Sequence, residues 1–281
     1  MRSYFYGWYL KCQSKEGTVA FIPAIHRNGS KETSSLQVIT EDEALTVNLP
    51  GKSFRKDCKN IYLDKNRFGK NGIRINMDAP GARIKGKIDF GPLTPIKYDI
   101  MGPFALIPHM ECRHYVMSMR HSVNGKVSIN GKTYNFENSV GYWEGDSGYS
   151  FPKNYLWTQT AFHGGSLMLS VASIPFGFFD FTGIIGVVYY GGREYRFATY
   201  LGAYIRELRD GKVRIKQGPM EFEAGLIEPA GKALNAPVAG DMSRTIHESA
   251  ACKAYYKFRI KGRTVFAFKT DRASFEYEYP N

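Results

Sequence analysis

Apolar and polar residues alternate with period two along much of the chain, the pattern of strands that bury one face and wet the other. Ile73-Arg74-Ile75-Asn76-Met77-Asp78 is the cleanest run. Ile84 to Phe90, Glu194 to Phe197, Val213 to Ile215, Tyr256 to Ile260 and Phe275 to Tyr279 repeat it. Helical periodicity is weak, and Ser243 to Ala254 is the best candidate for a helix. The apolar stretch Leu167 to Tyr190 is interrupted by Pro175, Gly177, Asp180, Gly183 and Gly186. A spanning helix needs about 20 uninterrupted apolar residues, so this stretch predicts two buried strands joined by an apolar loop. The loop, Ile174 to Phe181, has the make-up of a lid or interfacial segment.

Turn chemistry agrees with strands. Asn130-Gly131 between Val127-Ser128-Ile129 and Lys132 to Phe136 predicts a two-residue hairpin, because both residues tolerate positive φ. Asn124-Gly125, Gly191-Gly192, Asp210-Gly211 and Lys261-Gly262 punctuate other strand pairs. Many short strands with glycine-rich turns predict an all-β protein, barrel or sandwich. A faint internal repeat divides it. His114, Asn130-Gly131-Lys132-Thr133 and Phe136 are echoed by His247, Lys261-Gly262-Arg263-Thr264 and Phe266, and Trp8 and Trp157 each open a half. The expectation is two β-barrel or β-sandwich units packed together, one over residues 1–138 and one over 139–281.

The chain has 281 residues, 43% hydrophobic and 23% charged, enough to bury a core in each unit. Aromatics reach 15%, which suits strands and equally suits a pocket for an apolar ligand. The formal net charge is +12. The basic residues alternate singly with apolar ones, as in Lys257-Phe258-Arg259-Ile260-Lys261, and no nucleic-acid-binding motif accompanies them. Solvated basic strand faces are expected, suited to peripheral contact with an anionic membrane, with no specific nucleic-acid partner. Cys12, Cys58, Cys112 and Cys252 lack zinc-ligand spacing and read as free thiols of a reducing compartment. With no export signal evident at the start, the expected location is cytoplasmic. Phosphate loops, dinucleotide fingerprints and nucleophile elbows are absent, so no cofactor is expected.

Four segments resemble the tocopherol cyclase family. Gly7-Trp8-Tyr9-Leu10-Lys11 is similar to the family's opening strand, and Gly102-Pro103-Phe104 with Pro108-His109-Met110-Glu111-Cys112-Arg113-His114 to a Met-Glu-x-x-His element. Gly141-Tyr142-Trp143-Glu144-Gly145-Asp146-Ser147-Gly148-Tyr149-Ser150-Phe151-Pro152 with Trp157-Thr158-Gln159 is the most specific match. Ala236-Pro237, Gly240-Asp241-Met242 and Arg244-x-Ile246-x-Glu248-Ser249 complete the set. Ser147 stands where the pattern has Trp, and Ala161 where it often has Asn. The resemblance implies paired lipocalin-like β units around a cavity for a lipophilic, prenylated or isoprenoid molecule. It also implies a chemistry: protonation of a prenyl double bond of a quinol, with ring closure by the phenolic oxygen.

The residues offer matching chemistry beside plainer roles. Glu144 and Asp146, two apart, share a strand face, and an acid in an apolar site could donate a proton. They could equally accept bonds from a Gly145 to Ser150 turn. Glu111 and His114 suit a proton relay or a hydrogen-bonded tie between strands; no third ligand for a metal is visible. Trp8, Trp143, Tyr149 and Trp157 are candidates to face a developing cation, or core packing, and Gln159 is a candidate to bond a quinol hydroxyl. Two functions remain open: a cofactor-free cyclase or related isomerase, and a non-catalytic lipophile carrier. The sequence leaves the oligomeric state open.

Overall fold

The computed structural model describes residues 3–107, 110–176, 179–228, 232–238 and 240–279. They form strands almost throughout. The first eleven are β1 (Tyr4–Gln13), β2 (Thr18–Asn28), β3 (Lys31–Thr40), β4 (Ala44–Pro50), β5 (Phe54–Lys56), β6 (Asn60–Leu63), β7 (Asn66–Gly69), β8 (Gly72–Ala79), β9 (Ala82–Phe90), β10 (Cys112–Ile129) and β11 (Lys132–Gly148). They make one antiparallel sheet in the order β4-β3-β2-β1-β11-β10-β9-β8-β7-β6-β5.

The second sheet comprises β12 (Tyr155–Phe162), β13 (Gly165–Phe176), β14 (Phe179–Tyr190), β15 (Arg193–Ala198), β16 (Tyr204–Arg209), β17 (Lys212–Gln217), β18 (Met220–Leu226), β19 (Lys232–Val238), β20 (Asp241–Ile260) and β21 (Arg263–Tyr277). Its order is β15-β14-β13-β12-β21-β20-β18-β17-β16, with β19 paired to β20. In each sheet the opening strand pairs with the second arm of the last long hairpin: β1 with β11, β12 with β21. The repeat read from Trp8 and Trp157 is thus a repeat of connectivity.

Each sheet curls. The two edge strands of the first, β4 and β5, are consecutive and joined by one short turn, Gly51–Ser53. The edges of the second, β15 and β16, are likewise joined through Thr199–Leu201. Edges tied so closely cannot stand at opposite ends of a flat sheet. In the second unit the Gln217 side chain spans the seam, accepting the Ala198 N–H at 3.0 Å and donating to the Arg196 carbonyl at 3.0 Å. Inside each curl lies an apolar core: Trp8, Phe21, Phe68, Ile84 and Trp143 among others in the first, Leu169, Phe197, Phe222, Tyr256 and Phe275 in the second.

Chain contacts divide the molecule into residues 1–99, 107–151 and 234–245, and residues 100–106, 152–233 and 246–281. The boundary expected after residue 138 falls inside β11, because that strand continues past its hairpin with β10 to pair along β1 as far as Gly148. Two local expectations are also corrected. Ser243 to Ala254 lies within β20, not a helix. The buried Ile246, Ala250 and Ala254 recur every four residues, a spacing that suits one side of a helix but is also a multiple of two. Asn124-Gly125 is not a hairpin turn but lies within β10 at a register shift, where a Cβ on Gly125 would meet the Lys87 carbonyl oxygen at 2.2 Å. Asn130-Gly131 does form the expected tight turn, with φ of 47° and 91°. Leu167 to Tyr190 is the β13–β14 pair. The tip of its expected lid, Gly177 and Phe178, is outside the described residues.

Candidate functional site

Along β11 the even positions Tyr142, Glu144 and Asp146 share one face, and Trp143 and Gly145 the other. The odd face joins the first core: Trp143 packs edge-on to Trp8, ring centroids 4.8 Å apart. The even face points away from that core yet is buried, with Glu144 at 3% exposure. Tyr9 and Lys11 of β1, opposite Glu144 and Tyr142, are buried on the same face.

The pairing of β10 with β11 sets His114 directly opposite Asp146. Its Nδ1 is hydrogen-bonded to Asp146 Oδ1 at 2.9 Å, while its Nε2 stands 3.1 Å from Glu144 Oε2, an ion-pair contact outside hydrogen-bond geometry. One imidazole therefore sits between the two acids, bonded to Asp146 and in charge contact with Glu144. Tyr142 donates its hydroxyl proton to Glu144 Oε2 at 2.5 Å, and the Cys112 thiol donates to Asp146 Oδ1 at 3.3 Å. Val116, buried, stands opposite Glu144. Asp146 retains 24% side-chain exposure, so the chain Asp146–His114–Glu144 runs from a solvent-reaching carboxylate to a desolvated one.

Burial acts to lower the His114 pKa, but the charges of Asp146 and Glu144 and the hydrogen bond to Asp146 outweigh it, and the ring is pushed up to about 10. It is an imidazolium at neutral pH. Burial first, and the neighbouring carboxylates second, raise the Cys112 thiol and the Tyr142 phenol well above their ordinary ranges, which makes both neutral donors.

Gly145 has a packing role. A Cβ there would stand 2.7 Å from the Tyr115 ring and 2.8 Å from both the Gly7 carbonyl oxygen and Trp8. The glycine between the two acids lets Trp8 and Tyr115 close over β11; the turn expected from Gly145 onward is strand as far as Gly148.

The other candidates disperse. The Glu111 carbonyl oxygen accepts the Tyr149 and Ser150 N–H groups at 2.9 and 3.2 Å. Trp8 and Trp143 belong to the core, on the opposite face of their strands from Glu144. Tyr149 follows β11 and is 37% exposed. Trp157 and Gln159 sit on β12, on the face turned away from the second core, and both are buried. Tyr142 and Cys112 are the contributors that spacing alone did not single out; the signal for Tyr142 was its shared parity with Glu144.

His114, Glu144 and Asp146 each offer a ligand atom, all within 4.8 Å of one another, a mixed nitrogen–oxygen set that a divalent cation could use. Both ring nitrogens already face carboxylates, so a cation would have to displace one of these contacts and a ring proton with it. As it stands, the arrangement is a protonated imidazole held between two carboxylates, with groups that can exchange protons.

No family model matches the chain, and no curated protein matches it in sequence. Solved structures do match in fold. A putative AttH from Nitrosomonas europaea covers 100% of this chain and 93% of its own, at a TM-score of 0.58 and 12% identity. Kievitone hydratase from Nectria haematococca covers 98% and 89%, at 0.59 and 10%. CghA, solved with Sch210972, covers 98% and 88%, at 0.62 and 11%. At these identities the likeness shows a shared all-β architecture over nearly the whole chain.

Proposed function

We propose that this protein binds a lipophilic molecule of isoprenoid type and moves a proton on it, the Asp146–His114–Glu144 chain serving a cofactor-free addition or ring closure at a carbon–carbon double bond. The observation that carries the reading is the buried imidazole held between two carboxylates, hydrogen-bonded to Asp146 and 3.1 Å from Glu144. The resemblance of the Gly141–Pro152 segment to tocopherol cyclases supports it, since Glu144 and Asp146 lie within that segment. Fold likeness to a protein named a hydratase agrees with acid–base chemistry on an organic substrate.

In this reading the His114 imidazolium releases its Nε2 proton to Glu144, and the neutral ring is then reprotonated at Nδ1 through Asp146, the carboxylate that reaches solvent. The Glu144 O–H bond breaks as a C–H bond forms on the less substituted alkene carbon. The cation left on the other carbon is captured by a phenolic oxygen of the same substrate, a C–O bond forms, and the phenolic proton returns to the chain. The sum is an isomerisation with no oxidant or reductant. Burial serves it by keeping water from the cation, and fixed donors and acceptors spare reorganisation.

The test is incubation with a farnesylated hydroquinone in heavy water. Chromanol carrying one deuterium on the ring methylene next to the new C–O carbon is expected from the parent, and loss of product from folded Glu144→Gln and Asp146→Asn. Full activity in both variants would refute the relay. A non-catalytic carrier is the second reading, and a specific observation favours it: His114 holds its proton tightly, which slows release. No product from several prenylated quinols, with tight binding of each, selects the carrier. Four free thiols support a reducing, cytoplasmic setting for either.

A further inference from the structure

We infer that the second unit carries a polar subsite in which the Gln159 side-chain amide and the Ser166 hydroxyl hold a neutral ligand group presenting a donor and an acceptor side by side. Gln159 and Ser166 are both 0% exposed. Neither Gln159 Nε2, nor Gln159 Oε1, nor Ser166 Oγ has a hydrogen-bond partner. A side-chain amide offers two N–H donors and an accepting oxygen, and buried groups of this kind are nearly always paired with protein or with a bound molecule.

Strand register places the two together. Gln159 lies opposite Met168 and Ala161 opposite Ser166, so Gln159 and Ser166 are diagonal neighbours on one face of the β12–β13 pair. On its other side Gln159 lies opposite Ser274 of β21. The neighbours on this face are Ala161, Ser166 and Ser274, all short, with Met168 alongside. The opposite face of β12 carries Leu156 in the second core. Glu276, the acid on this face, already accepts the Tyr155 hydroxyl. The subsite thus selects an uncharged head: a phenolic hydroxyl beside an ether or carbonyl oxygen, a hydroxyketone or a lactam.

The choice of a phenolic probe rests on the proposed function, but the readout does not. Binding of a farnesylated hydroquinone and of its dimethyl ether, which cannot donate, is measured by calorimetry on the full chain. The parent is expected to favour the hydroquinone by roughly 10-fold, the worth of one or two hydrogen bonds made in a dry site. Gln159→Met and Ser166→Ala, both close in shape to the parent residue, are each expected to lose most of that preference while binding the ether as the parent does. Equal affinity for the two probes in the parent, no binding of either, or a preference untouched by both variants would overturn the inference and leave the amide to trapped water. Absence of product from the parent leaves the result standing, and loss of the preference leaves the relay untouched, so the two readings fail separately.

Discussion

His114 and His121 stand on the same strand with 7% and 3% of their surfaces exposed, and their surroundings drive them to opposite charge states. His114 faces a carboxylate at each ring nitrogen and is pushed up to about 10. His121 is on the core side of β10, opposite Gly141, with Phe90 at a ring-centroid distance of 4.4 Å. Its Nδ1 lies 3.0 Å from Ser118 Oγ, whose own proton goes to the Arg120 carbonyl, so Nδ1 carries the hydrogen and the ring is neutral. Burial pushes His121 down to about 4. Desolvation opposes the charge in both; only His114 has negative partners to reverse it. Between them the register shifts on either side of Ser118, and the two shifts together restore the alternation that keeps the rings on opposite faces.

The largest test of this contrast removes the partners. Glu144→Gln with Asp146→Asn should bring the His114 pKa down by several units toward that of His121, read by NMR titration of the ring protons. Turnover of the hydroquinone should fall by about 10²–10⁴-fold, the usual worth of a positioned acid–base group. A His114 that still titrates near 10 would mean its proton is held by something other than the two acids.

The second effect is on stability against pH. His121 has a folded pKa below its unfolded one, so its unfolded form binds more protons between about pH 6.5 and 4, and stability falls as pH drops through that window. The loss is of the order of 3 kcal/mol at most, by the ~1.4 kcal/mol carried by each pKa unit. His114 has a folded pKa above its unfolded one, so its contribution is fully present below about pH 6.5 and is lost as pH rises toward 10. Denaturant midpoints should therefore peak near pH 6.5. His121→Gln should flatten the acid limb and His114→Gln the alkaline limb, each leaving the other.

Smaller in effect is Gly141→Ala. A Cβ at that position would stand 2.3 Å from His121 Nε2, and the overpacking should cost about 1–3 kcal/mol by urea denaturation while leaving the His114 titration unchanged. Smallest is Ser118→Ala. It removes the acceptor for His121 Nδ1 and for the Thr94 N–H at 3.1 Å, for a loss of about 1 kcal/mol.

Much of this was legible in the chain and some was not. The strands, the Asn130-Gly131 turn and the shared face of Glu144 and Asp146 follow from local rules, since side-chain alternation and positive-φ turns are properties of a few consecutive residues. The nearest sequence reading came to this cluster was His114 paired with Glu111, three residues away, whereas Glu144 and Asp146 lie across a hairpin on β11. Trp8 and Trp143 read as ligand contacts because aromatics suit a pocket and a core alike; only the side of the sheet on which they fall places them in the core. Gly145 read as a turn residue because glycine is common in turns, and the crowding by Trp8 and Tyr115 that requires it comes from two other strands.

The sequence by itself determined that the protein is all-β, that it repeats, and which residues of each strand share a face. Tertiary structure decided which face meets the core, that His114 falls between two acids while His121 falls against Gly141, and that the Gln159 amide is buried without a partner. The reason is physical: alternation is set by the backbone dihedrals of one strand, but neighbours across a sheet are set by register, and register depends on turns, bulges and pairing between segments far apart in the chain.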